Sequence, residues 1–181
     1  MSTSQQQSSQ PSGQRVVYGG YRGPENPSER ERIVHLLDVY QSTEGFVAQY
    51  LGKWIDVSPN EAVKGGLRTV QAREAAHARL MKARLKALGE TARAEVSEER
   101  RANEVPFFAS PERGDLEKLE VLSNLFGSPE AFIKPVTDLV EQIDHDPQTR
   151  ELLRTIADDE LASIHWIQGM YQTLRESLQP D

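Results

Sequence analysis

Four long stretches of this chain carry apolar residues at three- and four-residue spacing, the period of one helix face. The first holds Ile33, Leu37, Tyr40, Val47, Leu51 and Trp54, and the second Leu67, Val70, Met81, Leu85 and Leu88. The third holds Leu119, Leu122, Phe126, Ile133, Val136 and Val140, and the fourth Leu153, Ile156, Ile167, Met170 and Leu174. End signals bracket these runs. Ser28 with Glu31 forms a capping box, Ser58-Pro59 with Glu61 reads as the next helix start, and Gly89 is a natural terminator. The pattern predicts helices over about 28–55, 59–89, 115–143 and 147–177. Pro135 lies inside the third and should kink it, and Gly127-Ser128-Pro129 is a second breaker. Residues 90–113 are polar, with a short solvated helix expected near Thr91–Asn103. The Ser-, Gln-, Gly- and Pro-rich residues 1–27 read as a disordered arm.

An internal repeat sharpens this picture. With an offset of 86 residues and no gap, Ser42-Thr43-Glu44-Gly45-Phe46 aligns with Ser128-Pro129-Glu130-Ala131-Phe132. Leu67-Arg68-Thr69-Val70 aligns with Leu153-Arg154-Thr155-Ile156, and Glu74 falls on Glu160. Each copy is a helical hairpin that cannot bury its own apolar stripe; two packed with pseudo-twofold symmetry can. The expected architecture is all-α: an antiparallel four-helix bundle over 28–178, with hairpin 1 at about 28–89, a long crossover at 90–113 and hairpin 2 at about 114–178.

Four glutamates interrupt the apolar faces. Glu44 shares its face with Leu37, Tyr40, Val47, Leu51 and Trp54; Glu74 with Leu67, Val70, His77, Met81 and Leu85. Glu160 has Leu153, Ile156, Ser163, Ile167 and Met170, and Glu130 has Phe126 and Ile133. In each hairpin the two are 30 residues apart (74 − 44 and 160 − 130), so they face each other across the turn. Four bare carboxylates in an apolar interior would cost many kcal/mol. A bound divalent metal pair removes that cost, and oxygen donors with an imidazole suit iron or manganese.

Glu44 followed by Glu74-Ala75-Ala76-His77 resembles the first half of the di-metal carboxylate site of the ferritin-like superfamily, as in rubrerythrins and bacterioferritins. That pattern takes one Glu from each of two helices and Glu-x-x-His from each of the others. The segment Ile156–Ile167 is similar to the second motif, except that Ser163 stands at the histidine position. His165 lies two residues further on and should point away. The resemblance implies a ferritin-like fold and metal ligands Glu44, Glu74, His77, Glu130 and Glu160. It also implies one or two iron or manganese ions, and chemistry with a small oxidant such as dioxygen or peroxide. The ion beside Ser163 should be the weaker, and a histidine there should raise the bound metal towards two. The alternative is a metal-free structural or protein-interaction module in which the glutamates are relics. Arg73, Arg79 and His165 read as solvated or ion-paired, Trp54 and Trp166 as packing residues, Tyr40 and Tyr50 as core aromatics.

Composition narrows the classes further. The net charge of −7 argues against a nucleic-acid binder. The absence of cysteine excludes disulfides, thiolate metal sites and a cysteine nucleophile. No apolar run is long enough to span a membrane and no secretory signal is visible, so a cytoplasmic location is the default expectation. A homodimer is compatible with the sequence.

Overall fold

The computed structural model describes residues 26–178, so most of the expected N-terminal arm lies outside the described residues. The described chain is all-helical. Its elements are α1 (Glu29–Val57), α2 (Glu61–Ala87), α3 (Glu98–Ala109), α4 (Asp115–Phe126), α5 (Pro129–Glu141) and α6 (Pro147–Ser177). None of these helices is long and apolar enough to cross a membrane.

The helix ends follow from local chemistry. Ser28 and Glu31 close the capping box at the start of α1, with the Ser28 amide donating to Glu31 Oε2 at 2.8 Å. Asn60, not Ser58, caps α2: its Oδ1 accepts from the amides of Ala62 and Val63 at 2.9 and 3.3 Å. Ser58 instead ends α1 and turns its hydroxyl to Asp115 Oδ2 at 2.7 Å. Gly89 terminates the second helical stretch at φ +79°, a value that favours glycine. The third sequence stretch is two helices. Gly127 adopts φ +55°, Ser128 caps α5 through the Ala131 amide and Pro129 begins it, so the chain changes axis there. Pro135 lies within α5.

Residue pairs across the interfaces give the helix directions. Gln71 donates to the Ala48 carbonyl at 3.2 Å, and a Cβ placed on Gly45 would meet Ala78 Cβ at 3.7 Å. α1 and α2 therefore run antiparallel and pack along their length. Gln168 donates to the Gly127 carbonyl and Tyr171 to Glu120, which sets α6 antiparallel to α4 and α5. Arg84 on α2 holds Asp146 and Thr149 at the start of α6, at 2.7 Å each, and Arg73, earlier on α2, meets Ser163, later on α6, so α2 and α6 run antiparallel. The crossover is less solvated than its composition suggests. Asp38 accepts from the amides of Arg93 and Ala94, and Phe108 on α3 is buried, stacking on Tyr50 with ring centroids 4.4 Å apart.

Two apolar layers result. One gathers Leu37, Met81, Leu85, Val140, Leu153 and Ile156. The other gathers Trp54, Leu67, Val70, Phe108, Leu119 and Ile167. On α1, α2 and α6 alike, polar side chains lie between the layers: Glu44, Glu74 with His77, and Glu160 with Ser163. Trp166 of α6 packs against Gly66 of α2, where a Cβ would come within 1.9 Å of the indole Cζ2, while a Cβ on Gly65 would meet nothing within 4 Å.

These two adjacent glycines make a matched test of the α2–α6 contact. Gly65→Ala should stabilise the protein by about 0.5–1 kcal/mol through helix propensity alone. Gly66→Ala gains the same propensity but must displace Trp166, and should destabilise by about 1–3 kcal/mol. Urea unfolding of both variants reads the difference; equal effects would remove the close α2–α6 packing.

Candidate metal centre

Glu44, Glu74 and His77 are buried, at 5%, 4% and 2% exposure. Each points inward because the helix period puts it on the apolar face of α1 or α2. Glu160 enters from α6 with a side chain 15% exposed. One donor atom from each of the four lies within 4.8 Å of every other. Four of the five side chains expected from the sequence thus converge.

Glu130 does not join them. It is exposed and in the first turn of α5, where its Oε2 accepts from Ser128 Oγ at 3.1 Å. Its assignment to the core face assumed an unbroken third helix. The turn at Gly127 gives residue 130 a new axis, and the carboxylate faces water beside its own cap. Ser163 is buried at 2% exposure and His165 is exposed, as their helical positions require.

His77 organises the cluster. Its Nδ1 lies 3.1 Å from Glu160 Oε1 and 3.9 Å from Glu44 Oε2. Its Nε2 lies 3.3 Å from Asp159 Oδ2. One ring nitrogen thus faces the carboxylates and the other a supporting acceptor, the usual way in which a ligating imidazole is held. Arg73 completes the arrangement: Nε is 3.4 Å from Asp159 Oδ1, and Nη1 donates to Ser163 Oγ at 3.2 Å. Periodicity could not find Asp159, since it lies off the core face. The repeat could have, because it places Asp159 on Arg73 and Ser163 on His77 (159 − 73 and 163 − 77 are both 86).

The electrostatics follow from burial. Desolvation, with the neighbouring Glu160 charge, pushes the Glu44 carboxyl up to about 8, against the lowering effect of its hydrogen bond with Glu74. Desolvation and then the charges of Glu44 and Glu160 hold Glu74 well above the carboxylate range. Burial alone would lower His77, but the hydrogen bond and charge of Glu160, with Asp159 and Glu74 behind them, raise it. Burial thus biases Glu44 and Glu74 towards the neutral acid, and the surrounding carboxylates bias His77 towards the cation.

A donor set of three carboxylates and one imidazole is hard and oxygen-rich. It fits iron or manganese far better than a soft thiophilic ion. The neighbouring carboxylate charge that helps raise Glu44, Glu74 and His77 marks where a cation would be most favourable. No family model, no curated protein and no solved structure matches the chain.

The pH dependence of the metal-free protein has a definite sign. Glu44, Glu74 and His77 all have folded-state values above their ordinary ones, so each contributes stability at low pH that is lost as pH rises. For Glu44 the loss spans roughly 4.5 to about 8. The melting temperature of chelator-treated protein should therefore fall between pH 5 and pH 8.5. Glu74→Gln should flatten that decline and raise the pH 8 melting temperature by about 2–4 °C per kcal/mol recovered. A melting temperature that climbs with pH over this range would contradict the buried-acid geometry.

Proposed function

We propose that the chain is a ferritin-like, non-haem metal protein that holds one iron or manganese ion and works with a small oxidant, dioxygen or peroxide. The observation that carries this reading is the convergence of Glu44, Glu74, His77 and Glu160 from three helices within 4.8 Å, buried between two apolar layers. The ferritin-like four-helix arrangement is part of the proposal. It is supported by the antiparallel α1–α2 and α4/α5–α6 pairs, by the α2–α6 contact and by the crossover through α3. The broken third helix departs from it.

Glu44, Glu74, His77 and Glu160 would hold the ion, and Asp159 would fix the imidazole. With Nε2–H donated to Asp159, the Nδ1 lone pair faces the carboxylates. When bound, iron or manganese supplies the redox chemistry towards the oxidant. The apolar layers above and below restrict water. Glu160 is the most exposed of the four, so a small molecule approaches from the α6 side.

A second reading is a metal-free structural or protein-interaction module. It is favoured by the self-sufficiency of the cluster: among the described residues the only buried side-chain polar atom without a partner is Arg32 Nε, outside the site.

Anaerobic titration with ferrous or manganous ion separates the two. One equivalent per chain should bind, with affinity rising as pH increases towards 8 because ligand protons must leave. His77→Ala should abolish tight binding, and Asp159→Asn should weaken it by about 10–100-fold. Iron-loaded wild type should consume peroxide or dioxygen faster than free iron does. No binding by the wild type would leave the module reading in place.

A further inference from the structure

We propose that Arg73 closes the second half of this site to metal: its guanidinium stands at the position symmetric to Asp159 and holds Ser163, restricting the chain to one ion. This rests on the metal reading above and adds to it what limits the stoichiometry.

The repeat relates position 73 to 159 and position 77 to 163. Both cross-pairs form between α2 and α6. His77 Nε2 meets Asp159 Oδ2 at 3.3 Å, and Arg73 Nη1 meets Ser163 Oγ at 3.2 Å. The two cross-pairs have similar spacing and opposite chemistry. One offers a lone-pair donor backed by a carboxylate, which is how a metal ligand is supported. The other offers a hydroxyl occupied by a guanidinium, which has five N–H donors, no lone pair to give and a permanent charge. Ser163 is 2% exposed, so the atom that would replace a ligating imidazole is deep in the core, and Arg73 has reached it.

Formal charge leads to the same conclusion. With their protons displaced by a bound ion, the carboxylates Glu44, Glu74 and Glu160, with Asp159, would carry four negative charges. One divalent ion and Arg73 leave a single negative charge. A second divalent ion beside Arg73 would make the same cluster positive, and Glu130, exposed on α5, is not among the carboxylates that converge there. Arg73 also pairs through Nε with Asp159 at 3.4 Å, so it steadies the acceptor of the one imidazole that remains. A histidine at position 163 would therefore not suffice for a second ion, contrary to what the sequence motif alone suggests.

The test is equilibrium dialysis of the full chain against manganous ion, with metal analysis and far-ultraviolet circular dichroism on each sample. Wild type, S163H and S163H/R73K, which keeps the charge, should each hold one ion. S163H/R73D, which repeats the His77–Asp159 pair in the other half, should hold two, and S163H/R73A should hold a second more weakly. S163H/R73A also keeps the test decisive should the aspartate variant fail to fold. Two ions in S163H or S163H/R73K would overturn the proposal, as would one ion in a folded S163H/R73A or S163H/R73D. A wild type that binds none overturns the metal reading and this inference with it, an outcome distinct from a wrong stoichiometry.

Discussion

Two carboxylates side by side in an apolar interior are the constraint on which this molecule turns. Glu44 and Glu74 are each about a twentieth exposed, and α1 and α2 pack too closely for either to reach water. Desolvating a bare carboxylate costs several kcal/mol even after relaxation, so positive charge must be brought to them. The protein brings it through the His77 ring beside them and through the bias of both carboxyls towards the protonated form, while the Arg73 guanidinium pairs with Asp159 behind the ring. The placing of His77 and of Arg73 depends on α6 crossing α2 at one register, because Glu160 and Asp159 hold His77, and Ser163 and Asp159 hold Arg73.

That register is in turn fixed at both ends of the α2–α6 contact. At one end Trp166 rests on Gly66, which has no Cβ to prevent it. At the other, Arg84 grips the α6 cap through Asp146 and Thr149. The polar cluster lies between, with an apolar layer on each side. It costs stability in the metal-free protein, and a site retained at such cost is where function is most reasonably sought.

The internal symmetry is therefore more informative where it fails than where it holds. His77 and Asp159 on one side, Ser163 and Arg73 on the other, are the same cross-helix contacts with inverted chemistry. The 86-residue offset pairs these positions in the sequence, and only one of the two pairs has a lone-pair donor. The other has a fixed cation, which supplies charge without offering a ligand.

Much of this was legible in the sequence because it depends on neighbours along the chain. Capping at Ser28 and Glu31, termination at Gly89 and the start of α6 at Pro147 are settled by side chains within four residues of the end they control. The inward aim of Glu44, Glu74, His77 and Glu160 follows from the helix period, which needs only an unbroken helix. Glu130 shows the limit. Its neighbours gave it the same face, but one glycine at φ +55° three residues earlier reset the axis, and no periodicity crosses such a turn. Asn60 displaced Ser58 as a cap for a tertiary reason, since the Ser58 hydroxyl is drawn to Asp115 from another helix. The contacts of Asp159 with His77 and of Arg73 with Ser163 were likewise decided only in three dimensions. Local sequence sets which way a side chain points from its own axis. Only the packing of α2 against α6 sets what it meets there.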